Sequence, residues 1–325
     1  MRAIAAAAMV ALLLCPWPQT IAQPVSAQCG PQSGALGVSR VVEIDTSNGP
    51  RFGHLQYKDI NFLQDGEVVL TFDDGPSRVH TPAVLAALDA HCTKATFFSV
   101  GRMAISDPEM LRETARRGHT IGTHTWSHKN IASLSPAAAR QEIELGISAV
   151  QAALGKPVAP FFRFPYLSDP KSAQSLLQER GIGIFSIDAD SYDYRTPSGA
   201  VIQRNILQQL TSRKKGIILF HDIQASTARG LKGLLDELKA RNFRVVHIVA
   251  KAPVATVAEF DAMATQSLGK KQIAESANSL ARRSVVWPVA NAPAAVAAPT
   301  PPPPPPARTT PHEDDDWKAK VFGRR

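Results

Sequence analysis

Carboxylate and imidazole side chains follow directly after apolar runs in this chain. Asp73 and Asp74 follow one such run, and His124 and His128, four residues apart, follow another. Two imidazoles and one carboxylate make three protein ligands and leave a position open for water or substrate, which is the pattern of catalytic zinc. A helical turn would place both imidazoles on one face. The spacing therefore predicts a divalent-metal site made of Asp74, His124 and His128.

The second aspartate, Asp73, is available for a different task. A metal lowers the pKa of a water bound to it towards about 7, and Asp73 is predicted to accept the proton of that water. Arg163 offers a fixed fork of donors that can hold Asp73 ionised and oriented. His221 ends another apolar run and is predicted to act as the general acid that protonates a leaving amine. Asp193 is predicted either to tune the pKa of His221 or to brace Arg163.

Strands followed by helices must position these residues. Short apolar, β-branched or aromatic runs predict seven strands, at 68–72, 95–100, 120–121, 161–164, 184–187, 216–220 and 244–249. Five predicted helices start with a capping side chain before a proline, namely Thr81, Asp107, Ser135, Asp169 and Thr196. Gly118, Gly155 and Gly181 stand where helices should end, and a further helix is predicted over 227–241.

Seven strand–helix units predict an α/β fold with a parallel sheet that is buried on both faces. Closure into a barrel is the leading expectation, and an open doubly wound sheet is the competing one. In either arrangement the active residues gather at the carboxyl ends of the strands, where the polar residues named above fall.

Composition excludes several classes of protein. The chain has 325 residues, of which 44% are hydrophobic and 20% charged, which is typical of a soluble globular protein and rules out collagen, coiled coil and wholesale disorder. Segment 28–250 carries 25 basic and 21 acidic residues, a net charge of +4 out of +8 for the whole chain. Such a mildly basic body is not expected to have nucleic acid as its main partner.

The first 27 residues have the pattern of an export signal. Arg2 precedes an apolar stretch over residues 3–15, and Val25 and Ala27 frame a small-residue cleavage site. A stretch of this length is shorter than the about 20 residues that a membrane-spanning helix needs, so no transmembrane span is predicted. Residues 1–27 are therefore interpreted as a signal peptide, and the protein is expected in the periplasm or outside the cell.

Cleavage of that signal would leave two cysteines, Cys29 and Cys92. In an oxidising compartment they are a candidate disulfide, and metal binding by the pair is the less favoured alternative.

The C-terminal region differs in composition from the rest. Ten of the 25 prolines lie between Pro288 and Pro311, including an unbroken run over 301–306, which favours extended polyproline II rather than a packed core. We predict an N-terminal extension at 28–65, a catalytic domain at 66–250 and a low-complexity, Pro-rich disordered tail at 251–325. A solvated tail is expected, with contact to an envelope component as the alternative.

Five motifs in order resemble those of a known family. They are Thr71-Phe72-Asp73-Asp74-Gly75-Pro76, His124-Thr125-Trp126-Ser127-His128, Arg163-Phe164-Pro165-Tyr166, Asp190-Ser191-Tyr192-Asp193-Tyr194 and Leu219-Phe220-His221-Asp222. The chain is similar over about residues 66–250 to the polysaccharide deacetylases, the NodB-homology domain of carbohydrate esterase family four. The resemblance implies a distorted (β/α)7 barrel and hydrolysis of an acetamide or acetyl ester on a sugar. It also implies a divalent metal, with Zn2+ expected first and Co2+, Ni2+ or Mn2+ as alternatives.

The resemblance also implies a role for each motif residue. Asp73 would be the catalytic base, Arg163 its positioning partner and His221 the acid, with Asp74, His124 and His128 as metal ligands. The backbone N–H of Tyr166, next to Pro165, would help to stabilise the oxyanion, and Leu219 and Tyr194 would line the pocket for the acetyl methyl group. Tyr194 departs from the family, which commonly has tryptophan there, so the shape of that pocket is expected to differ.

These features predict a hydrolase acting on carbon–nitrogen bonds other than peptide bonds. Its expected partner is an acetylated polysaccharide or oligosaccharide containing N-acetylglucosamine, such as a chitooligosaccharide, peptidoglycan or another envelope glycan. One alternative is an O-acetyl esterase acting on acetylated xylan. A non-haem iron oxygenase, which oxygen consumption would reveal, is one alternative from another class. A non-catalytic glycan-binding protein with a decayed site is a second, and the reactive residues retained in all five motifs count against it.

Overall fold

The computed structural model describes Cys29, residues 34–58 and residues 60–283. The predicted signal peptide at 1–27 and the proline-rich segment lie outside these residues. The chain divides into two units, Met1–Ala277 and Asn278–Arg325, and the description below concerns the first.

Strands and helices alternate along most of the described chain. The strands are β1 (Arg40–Ile44), β2 (Arg51–Phe52), β3 (Glu67–Asp73), β4 (Thr96–Ser99), β5 (Thr120–Thr123), β6 (Phe161–Phe162), β7 (Gly183–Phe185), β8 (Ala189–Asp190), β9 (Gly216–His221) and β10 (Arg244–Ala250). The helices are α1 (Thr81–Ala90), α2 (Gly101–Ser106), α3 (Pro108–Arg116), α4 (Pro136–Leu154), α5 (Lys171–Glu179), α6 (Gly199–Arg213), α7 (Ala225–Ala240) and α8 (Ala258–Arg283). All seven predicted strands are present, which confirms the α/β class.

The strands form a parallel sheet whose pairing runs round a ring. β3 pairs with β4 on one side and β9 on the other, and the path continues from β4 through β5 and β6 to β7. β8 follows β7 after three residues and pairs with β9. Segment 183–190 thus joins β6 to β9, an arrangement consistent with the predicted barrel. β10 pairs with the start of β3 and carries β1 on its other side.

Alternation along β3 explains how the site residue Asp73 comes to face the interior. Val68, Leu70 and Phe72 pack into the large apolar cluster that includes residues of the surrounding helices. Val69 packs into a second cluster with side chains of neighbouring strands, among them Phe98. Since successive side chains of a strand point to opposite faces, Asp73 lies on the same face as Val69.

Predicted helix signals are confirmed at five positions. The side chains of Asp107 and Ser135 accept hydrogen bonds from backbone N–H groups three residues on, at 3.3 Å each, and so cap α3 and α4. Gly118, Gly155 and Gly181 have φ of 82°, 73° and 62°, the left-handed conformation that glycine adopts without steric cost.

Three predicted capping residues are wrong. Thr81 lies inside α1, and its hydroxyl donates to the buried carboxylate of Asp222 at 2.5 Å. Asp169 accepts from the hydroxyl of Tyr57 at 2.6 Å, and Thr196 accepts from a backbone N–H at 3.1 Å two residues on. The helices that follow the last two begin only at Lys171 and Gly199. In each case the side chain forms a hydrogen bond with another tertiary or local partner instead of capping the helix.

Three strands and two helices, α2 and α8, were not predicted. β1 and β2 lie within the expected N-terminal extension, and β8 lies beyond the predicted strand at 184–187, which corresponds to β7 alone. α8 begins within the region predicted to be a disordered tail, and that prediction is wrong for the start of α8, because Phe260 and Ala264 are buried in the core. The domain boundaries near residues 65 and 251 stay predictions.

Cys29 and Cys92 form a disulfide with their Cα atoms 5.5 Å apart. The bond ties the N-terminal segment to the end of α1. Within the described ranges, no helix combines the length and hydropathy needed to cross a membrane.

Candidate active site

The predicted reactive side chains meet at the carboxyl ends of the strands. Asp73 ends β3 and stands in register with His221, the last residue of β9. His124 follows β5 directly, and Arg163 follows β6. Because these strands are parallel, their ends lie at one edge of the sheet and bring residues distant in sequence into contact.

Asp74, His124 and His128 form a cluster that could hold a metal ion, with ligand atoms that all lie within 4.8 Å of one another. The Nε2 atoms of His124 and His128 lie 3.5 and 3.2 Å from Oδ1 of Asp74. Donor atoms around one tetrahedral zinc lie about 3.3–3.5 Å apart, since the metal–ligand bonds are about 2.0–2.2 Å long. The spacing and the donor types therefore fit a single small divalent cation.

His124 is held in the tautomer that a metal ligand requires. Its Nδ1–H donates to the carbonyl oxygen of Arg163 at 2.6 Å, which leaves the lone pair on Nε2 directed at the cluster. Burial lowers the pKa of His124 to about 3 and also lowers that of His128. Both imidazoles are thus neutral at neutral pH, as ligation demands.

The turn that carries the two histidines is not helical, contrary to the prediction. We call residues 124–128 the ligand loop. Thr125 and His128 have φ of 66° and 60°, a left-handed conformation that is costly for residues with a Cβ. The ring centroids of the two histidines nevertheless lie 5.0 Å apart, because contacts with α4 hold the loop where helical hydrogen bonds are absent.

Asp74 occupies a similarly unusual position. Its φ is 76°, and the next peptide bond, Gly75-Pro76, is cis. A Cβ on Gly75 would lie 2.2 Å from both carboxylate oxygens of Asp222. Asp222 is 1% exposed, and burial raises its pKa to about 7. No role was predicted for Asp222, although it follows His221 in the fifth motif.

Asp73 forms a buried ion pair with Arg163. Nη1 of Arg163 donates to Oδ1 of Asp73 at 2.7 Å, and the two residues are 0% and 2% exposed. Burial raises the pKa of Asp73 to about 6, while the nearby cation of Arg163 pulls it down. Its second oxygen lies 3.9 Å from Nε2 of His124. Asp73 therefore stands beside the candidate metal cluster as a base that titrates close to neutrality.

His221 is paired with a second buried carboxylate. Its Nδ1–H donates to Oδ1 of Asp193 at 2.7 Å, and its backbone N–H donates to Oδ2 at the same distance. Burial disfavours the charged ring, but the Asp193 charge prevails and raises the pKa of His221 to about 10. Of the two tasks predicted for Asp193, the geometry supports tuning His221. The ring is thereby kept protonated, as a general acid must be.

The predicted substrate-binding residues surround these groups. The ring of Tyr166 lies 4.8 Å from that of His128, and the ring of Tyr194 lies 5.6 Å from that of His221. Leu219 is on β9, two residues before His221, and Pro165 begins the short turn that contains Tyr166. All the predicted site residues except the cysteines therefore fall in one region.

Glu142 of α4 is a contact that the sequence did not reveal. Its carboxylate accepts from the backbone N–H and the hydroxyl of Ser127 in the ligand loop, at 2.9 and 2.8 Å. Glu142 belongs to none of the motifs and lies 14 residues beyond His128, so only the packing of α4 identifies it.

Comparison with known proteins agrees with this geometry. A family profile described as polysaccharide deacetylase matches residues 63–184, a range that contains Asp73, Asp74, His124, His128 and Arg163. The chitooligosaccharide deacetylase of Azorhizobium caulinodans is 31% identical over 194 residues, which cover 54% of this chain and 90% of the relative.

Two further relatives carry names that refer to peptidoglycan. The peptidoglycan-N-acetylglucosamine deacetylase of Listeria monocytogenes is 32% identical over 184 residues, 56% of this chain but only 38% of that protein. The structure of a peptidoglycan deacetylase from Bdellovibrio bacteriovorus superposes with a TM-score of 0.62 at 34% identity and covers 68% of this chain and 62% of that one. The matching profile and the near-complete coverage of a relative above 30% identity show that the chain belongs to the polysaccharide deacetylase family.

Proposed function

We propose that this protein is a metal-dependent hydrolase that removes N-acetyl groups from a glycan containing N-acetylglucosamine. The observation that carries the proposal is the meeting, at one edge of the sheet, of a base held by Arg163 and an acid held by Asp193. The relatives named above are deacetylases of chitooligosaccharide or peptidoglycan, which supports the same substrate class.

Asp74, His124 and His128 would hold the metal, for which Zn2+ is the first candidate because two imidazoles and one carboxylate form a typical catalytic zinc site. When bound, such a cation lowers the pKa of water and polarises a carbonyl group.

The chain's own residues can supply the proton transfers of amide hydrolysis. Asp73 accepts a proton from the attacking water as the water oxygen adds to the acetamide carbonyl carbon, and Arg163 keeps the Asp73 carboxylate oriented. The backbone N–H of Tyr166 donates to the oxyanion. His221 then donates its proton to the sugar nitrogen as the carbon–nitrogen bond breaks, which yields acetate and a free amine on the glycan.

The high pKa of His221 favours an amide over an ester substrate. An amine leaves only after it is protonated, whereas an alcohol departs more readily, so an imidazole that stays protonated at neutral pH is more useful in N-deacetylation. Removal of O-acetyl groups from xylan is therefore the second candidate.

Acetate release from chitopentaose, peptidoglycan and acetylxylan tests the proposal. The protein is first treated with a chelator and then given Zn2+, Co2+, Ni2+ or Mn2+ in turn. We expect acetate from at least one N-acetylated glycan, loss of activity on chelation and recovery on metal addition. Release from acetylxylan alone would favour the esterase, and no release from any substrate with metal bound would refute the deacetylase.

Two variants separate the proposed roles. Asp73→Asn should retain the metal but lose most turnover, because the amide cannot accept the proton. His124→Ala should lose the metal itself, measured as metal content after dialysis. Full activity in the first variant, or full metal content in the second, would contradict the assignment.

We also propose that the sheet is a distorted (β/α)7 barrel and that the protein is exported. The ring of strand pairing supports the first. The disulfide between Cys29 and Cys92 supports the second, since such bonds persist in oxidising compartments.

A further inference from the structure

Glu142 of α4 accepts hydrogen bonds from the ligand loop. The carbonyl oxygens of the loop at Thr125 and Trp126 also accept from the backbone N–H groups of Gly101 and Arg102 at 2.9 Å. The backbone N–H of Trp126 donates to the carbonyl oxygen of Glu142 at 2.7 Å. The backbone N–H and hydroxyl of Ser127 donate to the two carboxylate oxygens of Glu142 at 2.9 and 2.8 Å. Glu142 thus receives three hydrogen bonds from two consecutive residues that lie between the histidines of the metal cluster.

The loop needs such support because its backbone is strained. Left-handed non-glycine residues cost about 1–3 kcal/mol each and persist only where their surroundings hold them, and Thr125 and His128 are both of this kind. A close approach of α4 is built in at Gly146, where a Cβ would lie 2.5 Å from the carbonyl carbon of Thr125.

The burial of Glu142 is what gives its contacts weight. The residue is 5% exposed, and Nζ of Lys129, the residue after the loop, lies 3.3 Å from its Oε1. A buried carboxylate must be matched by donors, so a loop that moved away from Glu142 would leave its charge poorly compensated. This penalty opposes any rearrangement that separates the two imidazoles.

We propose that Glu142 is a positioning residue that holds the ligand loop in metal-binding geometry and thereby sets the metal affinity of the Asp74–His124–His128 cluster. The inference deepens the proposed function, because it concerns the same site. Glu142 itself is not a member of the metal cluster.

The same helix offers a matched control. Glu144 is also buried, at 1% exposed, and its carboxylate pairs with Arg180 at 2.8 and 3.2 Å. Glu144 is the same type of residue on the same helix, but its carboxylate does not contact the ligand loop. If buried carboxylates of α4 matter only for folding, the two residues should respond alike to substitution.

The test is Zn2+ affinity, measured for the full chain by competition with a chromogenic chelator. We expect Glu142→Gln to weaken Zn2+ binding about 10- to 100-fold, the usual effect of losing a group that orients ligands, and Glu144→Gln to change it less than about twofold. The visible spectrum of bound Co2+ should also change in Glu142→Gln alone. Urea unfolding of the metal-free proteins shows whether both variants fold. Glu142→Ala is added to the series only if that variant also folds.

Unchanged Zn2+ affinity in Glu142→Gln, or an equal loss in Glu144→Gln, would overturn the inference. Its failure can be told apart from failure of the proposed function. Metal-dependent acetate release with unaltered Zn2+ affinity in Glu142→Gln would refute only the inference. Tight Zn2+ binding that depends on Glu142, without acetate release from any glycan, would refute only the deacetylase. A wild-type protein that binds none of Zn2+, Co2+, Ni2+ and Mn2+ would overturn both.

Discussion

The buried guanidinium of Arg163 provides a quantitative test of how the site is held together. Its Nη1 donates to Asp73 at 2.7 Å and to the hydroxyl of Thr71 at 2.8 Å. Nε and Nη2 donate to the carbonyl oxygens of Phe185 and Ser186 at 3.2 and 3.1 Å. Arg163→Met removes all of these donors while keeping much of the apolar volume, so four buried acceptors lose a partner.

The expected cost follows from the burial of both charges. Removing one partner of a buried ion pair destabilises a protein by about 3–5 kcal/mol, because the other charge stays buried without compensation. In Arg163→Met the pKa of Asp73 should rise beyond its present value of about 6. The folded variant then binds a proton that the unfolded chain releases, so its stability should fall as pH rises, and the deficit should be larger at pH 8 than at pH 5.

A double-mutant cycle isolates the pair. The free energy of unfolding in urea is measured for the wild type, Arg163→Met, Asp73→Asn and the double variant. Since hydrogen bonds to charged groups contribute about 1.5–3 kcal/mol, the double variant should be about 2 kcal/mol more stable than the sum of the single effects predicts. A coupling energy below about 0.5 kcal/mol, or a deficit that is the same at pH 5 and pH 8, would refute this account of the ion pair. Arg163→Lys, which keeps the charge but not the fork, should lie between wild type and Arg163→Met.

Three more predictions concern groups around and beyond the site. Burial lowers the pKa of His119 to about 3, so the free energy of unfolding should fall as pH drops below about 6.5. Measured by urea unfolding between pH 6.5 and pH 5, this free energy should fall by about 2 kcal/mol less in His119→Asn than in the wild type. An identical fall in both proteins would contradict this. Asp193→Asn removes the charge that raises the pKa of His221, so the alkaline limb of the pH profile of kcat/KM should move to lower pH and kcat should fall; an unmoved limb would exclude this pairing as its origin. Gly75→Ala should lose metal affinity because its Cβ would collide with the Asp222 carboxylate. Adding Asp222→Ala should restore part of that affinity. An unchanged metal affinity in Gly75→Ala alone would show that the contact is not tight.

Local patterns in the sequence were sufficient to predict seven of the ten strands in the described chain, and the edge at which they end. Runs of apolar residues set the burial of each strand, and the polar residues directly after them mark the carboxyl ends. Those ends coincide in any parallel sheet, whether open or closed. The gathering of Asp73, His124, Arg163 and His221 could therefore be predicted before the closure of the sheet was known.

Predictions that depended on a single local rule were less secure. Asp107 and Ser135 cap their helices, but Thr81 turns away to the carboxylate of Asp222, a residue from the other half of the chain. The spacing of His124 and His128 correctly predicted that the two imidazoles lie close together, yet the helical turn on which that prediction was based is absent. Propensity describes what a segment prefers alone, and a buried partner outweighs that preference when its charge would otherwise be uncompensated.

The sequence by itself determined which residue types stand at the strand ends and hence the chemistry available to the protein. The tertiary structure alone decided which groups hold those residues in place. Glu142 reaches the ligand loop from α4, Asp222 packs against Gly75, and β7 together with the unpredicted β8 joins β6 to β9. These contacts join residues that are remote in sequence and belong to no periodic pattern, so their energies arise only when the chain is folded and water is excluded from between them.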